Sequence, residues 1–122
     1  MIVQLLYDAV LPQSLSHEAP AGVELQRWDG GDVPDASLVR AAAERGCRGV
    51  VLLGRDSLEQ SDLREIGREV GVALVAAATH NPIDAKRHLL KNLDALRRAL
   101  AKHDCLLIFA AEVRPDPIPR GS

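Results

Sequence analysis

Five short runs of aliphatic residues recur along the chain, and they constrain its fold more than any other feature of the sequence. The runs cover residues 2–7, 23–26, 49–53, 73–77 and 105–110. Most are continuous rather than alternating in polarity, which is typical of strands in a parallel sheet with both faces covered. Segments of helical character separate them. This order predicts repeated strand-helix-strand units, because parallel strands need a long crossover connection.

The helices can be placed from apolar periodicity and from end signals. A first helix is predicted between residues 34 and 46, where a proline suits the first turn and a glycine follows the last. A second covers residues 63–70. The longest covers residues 81–100, begins with Asn-Pro and carries a stripe of leucines along one face. A short helix is predicted over residues 12–18.

Together these elements predict an α/β fold: a three-layer α/β/α sandwich around a central, mostly parallel, five-stranded sheet with right-handed crossovers. A chain of 122 residues with 47% hydrophobic positions can bury the core of one compact domain. We expect residues 1–120 to form that domain and residues 121–122 to be the remnant of a cleaved tag. Ligands of such sheets bind outside the carboxyl ends of the strands, so residues that follow each strand are the candidate functional residues.

Charge and aromatic content narrow the range of functions. The formal net charge is −2, and the only aromatic residues are Tyr7, Trp28 and Phe109. This charge argues against a strongly basic surface over the whole molecule, and so few rings make base stacking an unlikely main source of affinity for nucleic acid. Cys47 and Cys105 lie in or beside apolar runs, and the sequence shows no signal peptide or membrane-spanning segment. A reducing cytoplasm with two buried thiols is the expected setting.

Three carboxylates stand at or near the predicted carboxyl ends. Asp8 follows the first strand, Asp35 lies in the first turn of the helix after the second strand, and Asp56 follows the third. Each has an ordinary explanation, because Asp is common in turns, in caps and at the positive end of a helix. Together they predict a site for Mg²⁺ or Mn²⁺, since close carboxylates repel one another without a cation between them. Such an ion can activate water for hydrolysis of a phosphate ester.

Two parts of the sequence resemble PIN-like domains. The run LLYDAVLPQSL, residues 5–15, is similar to the opening of that family, in which a strand ends in Asp and is followed by Leu-Pro and a short helix. The runs PDASLVRAAAERG and GVVLLGRDS resemble its continuation, an acid that opens a helix and then a strand followed by Asp. The second half of the chain shares only the order of strands and helices. The resemblance implies that Asp8, Asp35 and Asp56 are the catalytic and metal-binding residues.

A PIN-like domain implies a metal-dependent ribonuclease, often the toxin of a bacterial toxin-antitoxin pair of the VapC type. The expected activity is hydrolysis of RNA phosphodiesters with Mg²⁺ or Mn²⁺, and the implied partners are RNA, an antitoxin protein and a second copy of the chain. One alternative is a PIN-like binding or regulatory module that has lost catalysis. Another is a receiver-like signalling domain, but such domains normally pair two acids after the first strand, where Asp8 stands alone.

Further polar residues near these strand ends are candidate auxiliary residues: Asp32, Ser57, Thr79 and His80. A hydroxyl and an imidazole after the fourth strand can contact a phosphate or a metal-bound water. Helix capping is the preferred explanation of Thr79, His80 and Asn81, because a helix begins at the following proline. Asp32 lies in the glycine-containing loop after Trp28, whose ring is expected to be half-buried as a lid or contact residue.

Basic residues fall on one arc of the long predicted helix, away from its leucines: Lys86, Arg87, Lys91, Arg97, Arg98 and Lys102. Such an arc is usually solvated surface. The alternative is a contact with an RNA backbone or an acidic partner, because phosphate contacts need charge without sequence readout. The candidates for that contact are Lys86, Arg87, Lys91 and Arg98.

Overall fold

The computed structural model of the protein describes residues 2–31, 33–59 and 61–115. The strands are β1 (Val3–Tyr7), β2 (Val23–Arg27), β3 (Gly49–Leu53), β4 (Ala73–Ala77), β5 (Cys105–Ile108) and β6 (Val113–Pro115). The α-helices are α1 (Asp35–Glu44), α2 (Ser61–Val70), α3 (Pro82–Lys91) and α4 (Leu93–Leu100), and short 3-10 helices cover Gln13–His17 and Arg55–Glu59. None of the helices in these three ranges is long and apolar enough to cross a membrane.

The strands form one sheet in the order β2-β1-β3-β4-β5-β6. Strands β1 to β5 are parallel to one another, and β6 pairs antiparallel with β5. The chain adds β2 on one side of β1 and then β3 on the other, so the direction of winding reverses at β1. In doubly wound sheets of this kind the ligand crevice opens at the carboxyl ends of the two strands that flank the reversal, here β1 and β3.

The central strands send their side chains alternately into two hydrophobic clusters, one on each face of the sheet. In β1, Leu5 and Tyr7 belong to the cluster that contains the buried residues of α3 and α4, whereas Leu6 belongs to the cluster of α1 and α2. Strand β4 is buried along its whole length. Burial on both faces explains why these strands are continuous apolar runs in the sequence. The predicted α/β architecture, a mostly parallel sheet with helices on both faces, is confirmed.

The sheet differs from the predicted one by its sixth strand. All five predicted strands are present, but Val113–Pro115 adds an antiparallel edge strand beside β5, so the prediction of five strands was wrong. This strand has only three residues and ends in a proline, so no apolar run marks it, and proline is tolerated at a sheet edge. The short helix predicted over residues 12–18 is a 3-10 helix. The tag remnant predicted at residues 121–122 lies outside the described residues.

The long helix predicted over residues 81–100 was also wrong as a single element, because it is interrupted at Asn92. The Asn92 side chain is 8% exposed, and its Nδ2 donates to the carbonyl oxygen of His88 at 2.8 Å and to that of Phe109 at 3.2 Å. A side chain that bonds to the backbone four residues earlier competes with the regular helical pattern. The second bond fixes the interruption to the segment that follows β5.

The two thiols differ in environment. Cys47 is buried and Cys105 is half-buried, and neither forms a disulfide, so the expectation of two buried thiols holds fully only for Cys47. Burial raises the pKa of the Cys47 thiol above its ordinary value of 9.0, nearby Glu24 raises it further, and Arg45 opposes them. Cys47 is therefore a packed core residue of the α1 and α2 face, which it joins in the hydrophobic cluster.

Replacement of Asn92 by alanine is expected to lower the free energy of unfolding by about 2 kcal/mol, because a buried carbonyl loses its hydrogen-bond donor. Urea unfolding followed by circular dichroism measures this loss. Asn92→Asp is the matched variant: it keeps the size of the side chain but places a carboxylate against two carbonyl oxygens, so it should lose more than the alanine variant. An aspartate variant as stable as the wild type would contradict the assigned hydrogen bonds.

Stability should also fall at alkaline pH through Cys47. The folded state keeps the thiol proton above the pH at which the unfolded chain releases it, so this contribution is complete below the unfolded pKa and is lost as pH rises above it. The loss is at most about 1.4 kcal/mol per pH unit. Urea unfolding of the wild type and of Cys47→Ala at about pH 8 and about pH 10 should show the larger decrease in the wild type. Equal decreases would contradict the burial effect.

Candidate functional site

The carboxyl edge of the sheet collects the polar residues that follow the parallel strands. Asp8 comes directly after β1, and its backbone N–H donates to the carbonyl oxygen of Val51 in β3 at 3.2 Å. Gly54 follows β3 in the same way, and its N–H donates to the carbonyl oxygen of Ala77 in β4 at 3.0 Å. The sheet hydrogen bonds thus continue to the first residue after each strand. Asp8 and the turn that carries Asp56 are therefore fixed on neighbouring strands.

Asp8 serves both a turn and an open surface. Its Oδ1 accepts a hydrogen bond from the N–H of Val10 at 3.2 Å, and its carbonyl oxygen accepts one from Leu11 at 3.0 Å. Its other carboxylate oxygen, Oδ2, has no hydrogen-bond partner among the residues that the structure describes. Turn chemistry therefore explains one oxygen of this carboxylate. The second is available to a ligand.

Beside Asp8 lies a pocket of about 430 Å³ between the end of β1 and the start of α1. Its lining residues are Asp8, Ala9, Val10, Trp28, Gly31, Val33 and Leu38. Asp8 is the only charged side chain among these described residues, and their other side chains are mostly apolar. A mostly apolar pocket with one placed polar group is the usual form of a small-ligand site. The sequence indicated Asp8 and Trp28 separately, and only the tertiary structure joins them.

The Trp28 ring is held in place by the loop that follows it. Its Nε1 donates to the carbonyl oxygen of Gly31 at 2.9 Å, and the guanidinium carbon of Arg45 lies 5.3 Å from the ring centroid. Gly30 packs against the ring so closely that a Cβ atom there would lie 2.3 Å from Cζ2. The ring is half-buried, as the sequence predicted. The loop therefore presents a fixed aromatic wall to the pocket.

Asp56 and His80 form a pair on the other side of β3. The Oδ1 atom of Asp56 lies 3.4 Å from Nε2 of His80, and the two side chains are 68% and 76% exposed. A contact between two side chains this exposed contributes little to stability. The turn geometry, rather than the pair itself, sets this arrangement. Asp56 lies in the 3-10 helix after β3, and His80 follows β4, so the pair spans two neighbouring strands.

Gly54 makes the close approach of Asp56 and His80 possible. Its φ is +92°, and a Cβ atom at this position would lie 2.5 Å from Cε1 of His80 and 2.6 Å from Oδ1 of Asp56. A side chain at this position is therefore disfavoured by the backbone conformation, and it would also displace these two exposed side chains. This role of Gly54 was not predicted. A glycine directly between a strand and an acidic turn is the signal that indicates it.

The three predicted metal ligands all follow carboxyl ends of parallel strands, but their surroundings differ. Asp35 is half-buried in the first turn of α1, Asp8 adjoins the pocket, and Asp56 contacts His80. In ranges 2–31, 33–59 and 61–115, no three His, Cys, Asp or Glu side chains form a group able to hold one metal ion. Asp32, predicted as an auxiliary residue, lies outside these ranges. Metal binding by the three acids therefore stays a prediction.

The other candidate auxiliary residues make local hydrogen bonds. Ser57 is buried, and its hydroxyl donates to the carbonyl oxygen of Leu53 at 3.1 Å. Thr79 Oγ1 accepts from the N–H of Asn81 at 3.2 Å, and Asn81 Oδ1 accepts from the backbone of Ile83 and Asp84. Asn81 is thus the N-cap of α3, which confirms the capping prediction for this residue. His80 takes no part in that cap, because its ring contacts Asp56.

The predicted basic arc is divided by the interruption at Asn92. On α3, Lys86 bonds to Ser14 Oγ at 3.1 Å and pairs with Glu18 at 2.5 Å, so it fastens the helix to the first 3-10 helix. Arg87 and Lys91 are exposed on α3, and Arg98 is exposed on α4 beside β6. Surface structure accounts for Lys86. Contact of the other three with RNA or a partner stays a prediction.

Comparison of the chain with protein-family models, with curated proteins and with solved structures gave no significant match.

Two effects favour glycine at position 54: the left-handed backbone conformation and the nearness of the Asp56 and His80 side chains. Gly54→Ala is expected to lower the free energy of unfolding by about 1–2 kcal/mol, the cost of a side chain in a left-handed conformation. Gly71→Ala is the matched control, since Gly71 has φ +76° and open space around it. Both variants should lose similar stability in urea unfolding, because the exposed Asp56 and His80 side chains can move aside. A much larger loss for Gly54→Ala would show that the pair is rigidly held.

Proposed function

We propose that the protein is a PIN-like ribonuclease that hydrolyses RNA phosphodiesters with Mg²⁺ or Mn²⁺, acting as the toxin of a toxin-antitoxin pair. The observation that carries this proposal is the placement of Asp8 and Asp56 after the adjacent parallel strands β1 and β3. These strands flank the point where the winding of the sheet reverses, and ligands of doubly wound sheets bind there. Asp35, at the start of α1, supplies a third carboxylate from the neighbouring crossover.

The donor set fits a hard cation. Carboxylate oxygens are preferred ligands of Mg²⁺, which is usually bound by one or two carboxylates together with water and substrate phosphates rather than by a complete protein cage. The open oxygen of Asp8 and the exposed carboxylate of Asp56 suit that mode of binding. When bound, the ion would lower the pKa of water and offset the negative charge of the phosphodiester. Asp8, Asp35 and Asp56 are the residues that would hold it.

The chain's own residues have distinct tasks in this proposal. Asp8 is fixed by its turn, so its open carboxylate oxygen keeps a defined direction at the end of β1. His80, beside Asp56, presents an imidazole to the same edge and can donate a hydrogen bond to a phosphate oxygen. Arg87, Lys91 and Arg98 supply positive charge for the RNA backbone. A second copy of the chain and an antitoxin protein are the proposed protein partners.

The alternative function is a PIN-like binding or regulatory module without catalysis. One observation favours it: the acids of this edge have local structural contacts, since Asp8 closes its own turn and Asp56 contacts His80. In that case the acids of the carboxyl edge would contact a basic partner instead of a metal. The two functions differ in whether the purified protein cleaves RNA.

Cleavage of a labelled single-stranded RNA in Mn²⁺ or Mg²⁺ tests the proposal. Asp8→Asn keeps the size of the side chain and its turn acceptor but removes the charge, so the rate should fall by about a hundredfold or more, at least the loss expected when a metal site is disturbed. Glu69→Gln, on the exposed part of α2, is the matched control and should cleave at the wild-type rate.

Wild-type protein that does not cleave RNA with either ion would favour the module. Cleavage by Asp8→Asn at the wild-type rate would contradict the assigned metal site. Because Asp8 caps only a local turn, urea unfolding of the variant verifies that any lost rate reflects the site and not the fold.

A further inference from the structure

The pocket lined by Asp8 and Trp28 has a volume of about 430 Å³, which is more than a metal ion needs. We propose that it binds one nucleobase of single-stranded RNA and selects bases that carry an exocyclic amino group. This inference rests on the proposed function, because it takes the occupant to be a nucleotide of the RNA substrate. The pocket lies at the carboxyl edge, next to the carboxylate that the proposed ribonuclease uses.

The lining of the pocket matches a flat, mostly apolar ligand with one hydrogen-bond donor. An aromatic ring and the aliphatic side chains of Val10, Val33 and Leu38 form its walls. Among the described lining residues, the one charged group is Asp8, which accepts hydrogen bonds but cannot donate them when ionised. Adenine, cytosine and guanine carry an amino donor at the edge of a planar ring. Uracil has no amino group, and its ring N3–H lies between two carbonyl oxygens that would face the carboxylate and repel it.

The aromatic wall is fixed before any ligand arrives. The hydrogen bond from Trp28 Nε1 to Gly31, the close packing of Gly30 and the guanidinium of Arg45 together hold the ring. A wall that is already ordered loses little conformational freedom on binding, so its contact with a base contributes more fully to affinity. One such ring suits a single base, in keeping with the low aromatic content of the chain.

The position of Asp8 joins base recognition to the proposed chemistry. Its Oδ1 is engaged by the N–H of Val10, and the two lone pairs of Oδ2 would allow that oxygen to accept a hydrogen bond from a base amino group while it binds a metal ion. A base in this pocket would place its own phosphate at the carboxyl edge, where Asp56 and His80 also lie. The pocket would then determine which nucleotide stands beside the cleaved bond.

Trp28 is the only tryptophan of the chain, so its fluorescence reports directly on the pocket. Adenosine, cytidine, guanosine and uridine 5′-monophosphates are titrated separately into the full chain in buffer with a metal chelator. The first three should change the emission saturably, and uridine monophosphate should bind about tenfold more weakly, as expected for one lost hydrogen bond to a charged acceptor. Ribose 5-phosphate, which has no base, should leave the emission unchanged.

Two variants test the assignment by isothermal titration calorimetry. Trp28→Ala should weaken binding of the best nucleotide about tenfold, the loss typical of one aromatic contact with a base. Val10→Phe places a larger side chain at the mouth of the pocket and should abolish saturable binding. Because Val10 is 54% exposed, this variant should still fold. Ile2→Phe, 63% exposed at the opposite end of β1, is the matched control and should bind like the wild type.

The outcomes separate this inference from the proposed function. Binding of nucleotides without cleavage of RNA would support base binding by the pocket and contradict the proposed ribonuclease function. If the wild-type protein cleaves RNA but the Val10→Phe variant binds nucleotides normally, base binding by the pocket is contradicted and the ribonuclease function stands. Equal binding of all four nucleotides, or of ribose 5-phosphate, would overturn the proposed selection by Asp8.

Discussion

Burial of the central parallel strands on both faces is the constraint on which the rest of the structure depends. Strands β3 and β4 have helices above and below, so almost no side chain along them can be polar. Their backbone groups pair with neighbouring strands and their side chains fill two aliphatic clusters. In these two strands, polar side chains are therefore confined to the turns that follow the strand ends. The chemistry of the protein has to be built there, on turns that the sheet holds in place.

The order of the strands then decides which of these turns become neighbours. Asp8 and Asp56 are far apart in the sequence, but β1 and β3 pair directly, and the hydrogen bonds of the sheet continue to Asp8. Gly54 gives the following turn the conformation that lets Asp56 and His80 approach one another. Trp28 reaches the same edge from β2, on the other side of β1. One carboxyl edge thus carries a pocket, an acidic group and an imidazole.

Asp8 and Asp56 show that an acidic residue with a local structural contact can also be available to a ligand. Asp8 uses one oxygen to close its own turn and leaves the other open, so neither explanation excludes the other. Asp56 contributes little to stability through its exposed contact with His80. Residues that the fold positions but does not need for stability are free to serve a ligand. This is the physical basis of the proposal that RNA and a metal ion bind at this edge.

The five predicted strands and the helix cap at Asn81 could be predicted from the sequence, because apolar runs and capping residues are local patterns of residue types. The sequence also placed Asp8, Asp35 and Asp56 near strand ends. It did not show β6, whose three residues gain their strand conformation only by pairing with β5. Nor did it show the interruption at Asn92, because that side chain bonds to Phe109, which is remote in sequence.

The sequence alone determined the order of the five parallel strands and of the helical segments between them, and it placed polar residues after the central strands, since both follow from the local succession of apolar and polar segments. Only the tertiary structure decided which ends meet. The pairing of Asp56 with His80, the joining of Asp8 and Trp28 around one pocket, and the division of the basic arc all depend on contacts between separate segments. Such contacts arise from strand order and packing, and no local pattern of residues encodes them.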